Sequence, residues 1–177
     1  MRIIEYFATD NQAYWLSQIG KSDWVAGQFL YELLKNEKLQ QYSGDKTKVF
    51  MLVDGEALIS FCTLSNKDDI EQTDLSPWIG FVYTFPQYRG HRNIGKLLNY
   101  AKEMARAEGL SNIYVSTDQE GIYEKYGFAF LAYMKDRRGG ESRVYRINTY
   151  GDFEIFRIRM AYEESLDNKY IDIETIY

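Results

Sequence analysis

The sequence predicts a mixed α/β sheet that contains at least one βαβ crossover. Asp54 and Gly55 separate two apolar runs, which is a strong signal for an antiparallel hairpin. An apolar run at residues 77–85 leads into an amphipathic stripe at 94–105 and then into a short apolar run at 112–116. A strand, a helix and a strand in this order predict a crossover that joins two parallel strands.

The first part of the chain is predicted to be an edge strand followed by helices. Residues 1–7 alternate weakly between apolar and polar, as an edge strand does. Apolar residues recur at helical spacing through residues 11–36, and the polar segment 20–23 divides this stretch into two helices. Ser22 or Asp23 is the expected N-cap of the second helix, because a short oxygen-bearing side chain can accept from its free N–H groups.

The hairpin and the next strand form the predicted centre of the sheet. Strands at residues 48–53 and 56–64 flank the tight turn, and a polar, acidic loop follows at 66–74. The run at 77–85 is apolar and aromatic throughout, which is typical of a strand covered on both faces.

The crossover helix has the clearest pattern in the chain. Residues 95–108 carry one apolar stripe, and Gly109 ends the helix as a C′ glycine often does. A short strand is predicted at 112–116, followed by a short helix at 119–126 that Gly127 stops.

The last predicted elements are strands. Residues 128–134 and 143–147 are predicted to form a strand pair. Alternation at 153–160 and at 171–176 predicts extra C-terminal strands or a flap. No Gly/Ser-rich run separates the parts of the chain. We therefore assign residues 1–147 to one domain and 148–177 to an extension packed on it.

One basic window stands out in an acidic chain. The formal net charge is -5 and the pI is about 5.0, which argues against a general nucleic-acid binder. No Asp or Glu occurs between Leu75 and Lys102, yet Arg89, Arg92 and Lys96 fall inside this window. Here a strand runs into a helix N-terminus, where free N–H groups and the helix dipole favour a phosphate. The sequence therefore predicts a site for one polyphosphate ligand.

The chain has one cysteine and one histidine, and these low counts exclude several kinds of site. Cys62 is the single cysteine, so no intrachain disulfide can form and a reduced, cytoplasmic location is expected. His91 is the single histidine, so we expect no histidine-rich metal site and no metal. The N-terminus lacks the layout of a signal peptide, and no apolar run approaches the roughly 20 residues that span a bilayer. We expect neither a membrane nor a nucleic acid as partner.

Two motifs flank the predicted crossover. Pro86 stands three residues before Arg89, and a pair of leucines follows at 97–98. Residues 122–128 read Ile-Tyr-Glu-Lys-Tyr-Gly-Phe. In this order and at this spacing, residues 49–147 resemble the GNAT superfamily of acyl-CoA-dependent N-acetyltransferases.

The resemblance implies a GNAT-like, mostly antiparallel mixed sheet flanked by helices, with acetyl-CoA as the cosubstrate. It implies that the pantetheine arm pairs with one edge of a splayed strand and that the following loop cradles the pyrophosphate. The residues that it assigns to acetyl-CoA are Val82, Tyr83, Thr84, Arg89, Gly90, His91, Arg92, Asn93, Ile94, Gly95 and Ser116. It also implies that Tyr123 is the acid that protonates the departing thiolate; the alternative is a tyrosine that only packs the helix on the sheet.

The chain departs from the family pattern in its loop. The family's first glycine is Arg92 here, its glycine or alanine is Ile94, and its usual asparagine before the motif tyrosine is Ser116. If Arg92 has helical φ and ψ, it can still offer its N–H, and its side chain could contact a phosphate. Alternatively, Arg92 fills the pyrophosphate path and alters the site.

The general base cannot be read from the sequence. The family often uses an acid on a central strand, but the run at 77–85 carries none. Asp74 and Asp118 flank the central strands, and each suits a loop or cap residue equally well, so neither is assigned. If the acidic loop at 66–74 lies near the cleft, it would favour a cationic amine as substrate.

The leading interpretation is an N-acetyltransferase that moves the acetyl group of acetyl-CoA directly to an amine of a small molecule or peptide. The alternative is a non-catalytic acyl-CoA-binding module with a degenerate active site. A third interpretation is a small α/β interaction domain without a CoA site. The extra C-terminal strands could pair across a homodimer.

Overall fold

A single seven-stranded mixed sheet organises the protein. The computed structural model describes residues 1–151. The strands are β1 (Arg2–Glu5), β2 (Lys48–Asp54), β3 (Ala57–Ser65), β4 (Trp78–Thr84), β5 (Asn112–Thr117), β6 (Ala129–Lys135) and β7 (Glu141–Asn148). Their spatial order is β1-β2-β3-β4-β5-β7-β6, and within it only β4 and β5 pair in parallel. The predicted fold class is therefore confirmed, whereas the strands expected beyond residue 152 lie outside the described residues.

Four α-helices accompany the sheet in the described part of the chain. They are α1 (Gln12–Ile19), α2 (Val25–Lys35), α3 (Leu39–Ser43) and α4 (Asn93–Ala107). Helix α4 is the crossover between the two parallel strands, as predicted. None of the helices within residues 1–151 is long and apolar enough to cross a bilayer.

Strand β2 shows how the two faces of the sheet are covered. Val49, Met51 and Val53 lie in a cluster with buried residues of α1 and α2. Phe50 and Leu52 alternate with them and lie in a second cluster with buried residues of α4. This period of two places a helical layer on each face, so the central strands are apolar on both sides.

Two local predictions differ from the structure. Neither Ser22 nor Asp23 caps α2, because its N-cap position is Trp24 and Asp23 instead accepts a hydrogen bond from the Tyr83 hydroxyl at 2.5 Å. The short helix expected at 119–126 is a single 3-10 turn at Tyr123–Tyr126. The Asp23 side chain is engaged by Tyr83 of β4 and is therefore not available as a cap.

Candidate functional site

The parallel strands β4 and β5 separate to form a fork. They pair only through Trp78 with Tyr114 and Ile79 with Val115. Beyond Ile79, β4 bends away, and Phe81 has the left-handed φ of 50°. The β4 edge that faces β5 therefore has unpaired backbone groups from Gly80 onward within the described chain. A cleft of about 2000 Å³ opens between the two strands.

The N-terminus of α4 closes one end of this cleft. After β4, a 3-10 turn at Pro86–Tyr88 leads into the basic turn and then into the helix at Asn93. The first turn of α4 carries no acidic residue. The free N–H groups and the positive end of the helix dipole therefore meet at the cleft, an arrangement that favours a phosphate.

Side chains of the basic turn hold this end of the cleft in shape. Arg89 Nε donates to the Thr84 carbonyl at 3.0 Å, and its guanidinium lies 3.6 Å from Asp23 Oδ1. Asn93 is buried and donates from Nδ2 to the Tyr88 carbonyl at 3.0 Å. Arg89 thus satisfies the last carbonyl of β4 while leaving its exposed guanidinium beside the cleft.

Most residues assigned to acetyl-CoA by resemblance line one cleft. The cleft wall includes Val82, Tyr83, Thr84, Arg89, Gly90, Arg92, Asn93, Ile94 and Ser116. His91 and Gly95 lie outside this wall. Gly95 instead allows close packing, because a Cβ there would lie only 2.6 Å from Cε1 of Tyr126.

Arg92 adopts a different conformation from the helical one expected. It occupies the N-cap position of α4 with φ 53° and ψ 30°, in the left-handed region. A side chain in this region costs roughly 1–2 kcal/mol, which explains why a glycine would suit the position better. The Arg92 side chain is exposed, and the residue lines the cleft.

Arg92→Gly is expected to raise the free energy of unfolding by about 0.5 kcal/mol. Relief of the left-handed strain should slightly exceed the entropy that a glycine adds to the unfolded chain. Arg92→Ala is the matched control, since it removes the same charge but keeps the strain, and should leave stability unchanged or lower. Urea denaturation measures both. Equal stability of the two variants would contradict the strain argument.

Tyr123 is buried at the closed end of the fork. Its ring packs edge-on against Phe128, at 5.8 Å between centroids, and tilts against Tyr145 at 6.3 Å. Burial, with smaller effects of Cys62 and Asp68, raises the pKa of the Tyr123 hydroxyl well above its usual range. Tyr123 also lines the cleft, so the catalytic and packing interpretations both fit its position.

A carboxylate that the sequence did not single out reaches the fork. Asp68 lines the cleft, and Ser116 Oγ donates a short hydrogen bond to Asp68 Oδ2. Burial raises the pKa of Asp68 above its ordinary value, and the Ser116 hydrogen bond opposes part of that rise. Of the two acids weighed from sequence, Asp74 is exposed outside the cleft wall, whereas Asp118 lies on the wall but is exposed after β5. Only the pairing of distant segments brings Asp68 to β5, so the sequence offered no signal beyond an acidic loop.

The other end of the cleft combines aromatic and acidic side chains. Phe29 of α2 is partly exposed there, at 42 %, and packs against Tyr42 and Phe81. The acidic residues of this end are Asp68, Asp69, Asp136 and Glu141. Arg138 accompanies them and lies 3.2 Å from Asp69. This end therefore has an excess of negative charge, opposite in sign to the α4 end.

A mixed sheet that forks beside a helix N-terminus offers an open strand edge next to a phosphate-favouring end of a helix. The chain belongs to the acetyltransferase (GNAT) family, whose family model matches residues 13–128. It is thus a member of a family of acetyl-CoA-dependent N-acetyltransferases, and the predicted resemblance is confirmed.

Solved structures of acetyltransferases share the fold. The aminoglycoside 6'-N-acetyltransferase from Enterococcus faecium is 14% identical, with a TM-score of 0.62 over 84% of this chain and 97% of that one. An acetyltransferase of the GNAT family from Desulfovibrio desulfuricans is 16% identical, with a TM-score of 0.59 over 84% and 98%. A variant of spermidine N-acetyltransferase from Vibrio cholerae is 17% identical, with a TM-score of 0.54 over 84% and 92%. No curated protein matches the sequence.

Proposed function

We propose that this protein transfers the acetyl group of acetyl-CoA directly to the amine of a cationic acceptor. The observation that carries the proposal is the fork of β4 and β5, which opens between the positive N-terminus of α4 and the acidic end of one cleft. The pantetheine arm would pair with the free edge at Val82, Tyr83 and Thr84. The pyrophosphate would lie on the turn that leads into α4.

Direct transfer is supported by the chemistry of the cleft wall. Its described residues include no cysteine and no histidine that could carry the acetyl group. Cys62 is fully buried in the core, and burial raises the pKa of its thiol to about 12, so the thiolate is scarce at neutral pH. The amine would therefore attack the thioester while both substrates are bound, with the reacting atoms about 3–3.5 Å apart.

Two groups would assist the departing thiolate and the developing oxyanion. Backbone N–H groups on the open β4 edge would donate to the thioester oxygen, an effect that is typically about 3 kcal/mol for each donor. The Tyr123 hydroxyl makes no hydrogen bond to another group of residues 1–151, so it is available as a donor to sulfur. Its raised pKa keeps it protonated at neutral pH.

The acidic end of the cleft supports a cationic acceptor. Asp68 and Asp69 come from the loop that the sequence left undecided, and they face the cleft. Negative charge there raises the local concentration of a positively charged amine, and aromatic faces such as those of Phe29 and Tyr42 favour cations. The solved relatives named for aminoglycosides and for spermidine have acceptors of this charge class.

The acetyl-CoA site is tested by thermal unfolding with and without the cosubstrate. Ligand at about 100 times its Kd should add about 2.7 kcal/mol to the free energy of unfolding. Ile94→Glu should abolish the shift, because it places a carboxylate where the phosphates are expected, while the helix N-terminus still tolerates the charge. Asn99→Glu adds the same charge to an exposed position of α4 outside the cleft and should keep the shift.

Two results would contradict this assignment. Absence of any shift in the natural chain would favour an interaction domain without a CoA site. A shift that survives Ile94→Glu would place acetyl-CoA elsewhere. Release of free CoA on addition of spermidine then separates an enzyme from a non-catalytic binding module, since only the enzyme produces the thiol.

A further inference from the structure

Asp68 lies against β4 at the position where that strand has a glycine. Strand β4 has Gly80 where it leaves β5, and an added Cβ there would lie 3.1 Å from Thr63 Oγ1 and in van der Waals contact, at 3.4 Å, with Asp68 Oδ1. The other carboxylate oxygen, Oδ2, accepts from Ser116 on β5. A carboxylate from the β3–β4 loop thus stands between the two strands at the point where they separate.

The loop that carries Asp68 is held on both sides by backbone hydrogen bonds. The Lys67 N–H donates to the Ser43 carbonyl at 2.9 Å, and the Arg137 N–H donates to the Asp69 carbonyl at 2.9 Å. An isolated β-bridge between Ile70 and Asp136 continues this attachment. The carboxylate is therefore preorganised, which is what a group acting on a reacting atom needs.

We propose that Asp68 is the general base of the acetyl transfer, an inference that rests on the proposed function. The acceptor binds as an ammonium ion, Asp68 takes its extra proton, and the neutral amine that results attacks the thioester carbon. The C–N bond forms as the C–S bond breaks, the electron pair of the C–S bond goes to sulfur, and the Tyr123 hydroxyl donates the proton that completes CoA. The N–H proton that the nitrogen loses as the amide forms returns through solvent to Tyr123, and Asp68 releases its proton to solvent. The net reaction converts one ammonium ion and one thioester into one amide, one thiol and one proton.

The surroundings of Asp68 suit this role. The groups that act on it are Ser116 on β5, Asp69 in its own loop and Arg137 in the β6–β7 turn, and its own charge acts on Tyr42 and Tyr123. Burial raises the pKa of Asp68 and the Asp69 carboxylate adds to the rise, whereas the hydrogen bonds from Ser116 and from the Asp69 N–H, and the charge of Arg137, oppose it. A base with a raised pKa accepts a proton more readily than an ordinary carboxylate, and it becomes inactive as the pH falls through that pKa.

The test compares two acceptors in Asp68→Asn. Spermidine is protonated at neutral pH and needs a base, whereas hydroxylamine is already neutral and does not. Asp68→Asn is expected to lower kcat with spermidine about 100-fold, within the usual range for loss of a base, and to change kcat with hydroxylamine less than threefold. Asp74→Asn makes the same chemical change at an exposed position outside the cleft and should leave both rates unchanged.

Separate outcomes overturn the two proposals. Equal losses with both acceptors, or no loss with spermidine, would overturn the base assignment while transfer itself stands. If the natural chain shows neither a thermal shift with acetyl-CoA nor transfer, the proposed function fails. If acetyl-CoA binds and neither amine reacts, the carboxyl signal of Asp68, followed by NMR between about pH 3 and 9, decides the base assignment, because an ordinary pKa would overturn it and a raised one would support it.

Discussion

Tyr123→Phe is expected to lower kcat about 100- to 1000-fold, because it removes the proposed hydroxyl donor to the departing thiolate. The phenyl ring keeps its packing against Phe128 and Tyr145, so stability and acetyl-CoA affinity should change little. The raised pKa of Tyr123 also predicts how activity depends on pH. The acid form should persist above the ordinary tyrosine value of about 10, so this group should cause no loss of activity as the pH approaches that value.

The control for Tyr123→Phe is Tyr145→Phe. Tyr145 lies beside Tyr123, but its hydroxyl donates to Glu124 Oε1 at 2.8 Å outside the cleft wall. Removal of that hydroxyl should cost about 1 kcal/mol of stability and leave kcat close to that of the natural chain. A rate for Tyr123→Phe within threefold of the natural rate would leave Tyr123 as a packing residue. Steady-state release of CoA, measured with a thiol reagent, provides both rates.

Trp78→Ala should lower the free energy of unfolding by about 3–5 kcal/mol, a large part of the stability of an ordinary domain. Trp78 is fully buried, pairs with Tyr114 at the first of the two paired positions of β4 and β5, and donates from Nε1 to the Leu75 carbonyl at 2.7 Å. The variant therefore loses a large apolar side chain and leaves a carbonyl unpaired. Because Trp78 holds the closed end of the fork, acetyl-CoA binding should also weaken.

Trp24→Ala is the matched control for this large effect. Trp24 is 39 % exposed and stacks on Tyr83 at 6.0 Å between centroids, so its loss should cost about 1 kcal/mol. Urea denaturation of both variants gives the comparison. A loss below about 1.5 kcal/mol for Trp78→Ala would show that the fork does not depend on this side chain.

The electrostatic design of the cleft connects these experiments. The end at α4 offers free N–H groups and arginines without an acid in the first helical turn, which suits phosphates. The opposite end offers carboxylates and aromatic faces, which suit a cationic amine. The fork lies between them, where the thioester and the amine would meet. Substrate binding and chemistry can therefore be disrupted separately, at Ile94 and at Asp68 or Tyr123.

Local sequence patterns were sufficient to predict the fold class and the α4 end of the cleft. The hairpin at Asp54 and Gly55 and the crossover α4 between parallel strands follow from turn chemistry and from apolar periods of two and 3.6 residues. The basic turn between β4 and α4 could be located because its parts are adjacent in the chain. A helix end or a turn depends on residues that are only a few positions apart. Such a feature can therefore be recognised in the sequence.

The tertiary structure decided the parts that depend on distant segments. Arg92 has a left-handed backbone conformation because the turn must enter α4 from β4, and its residue type gave no sign of this. Asp68 lies 48 positions before Ser116, yet the two side chains share a hydrogen bond. The sequence pattern of its loop is typical of a solvated acidic segment. In the structure the β6–β7 turn hydrogen-bonds to this loop, and Asp68 lies beside Gly80. The fold class and the position of the basic turn could be predicted from sequence, because those signals are local. The candidate base could emerge only after folding, because a carboxylate's surroundings depend on pairing between segments that are far apart in the chain.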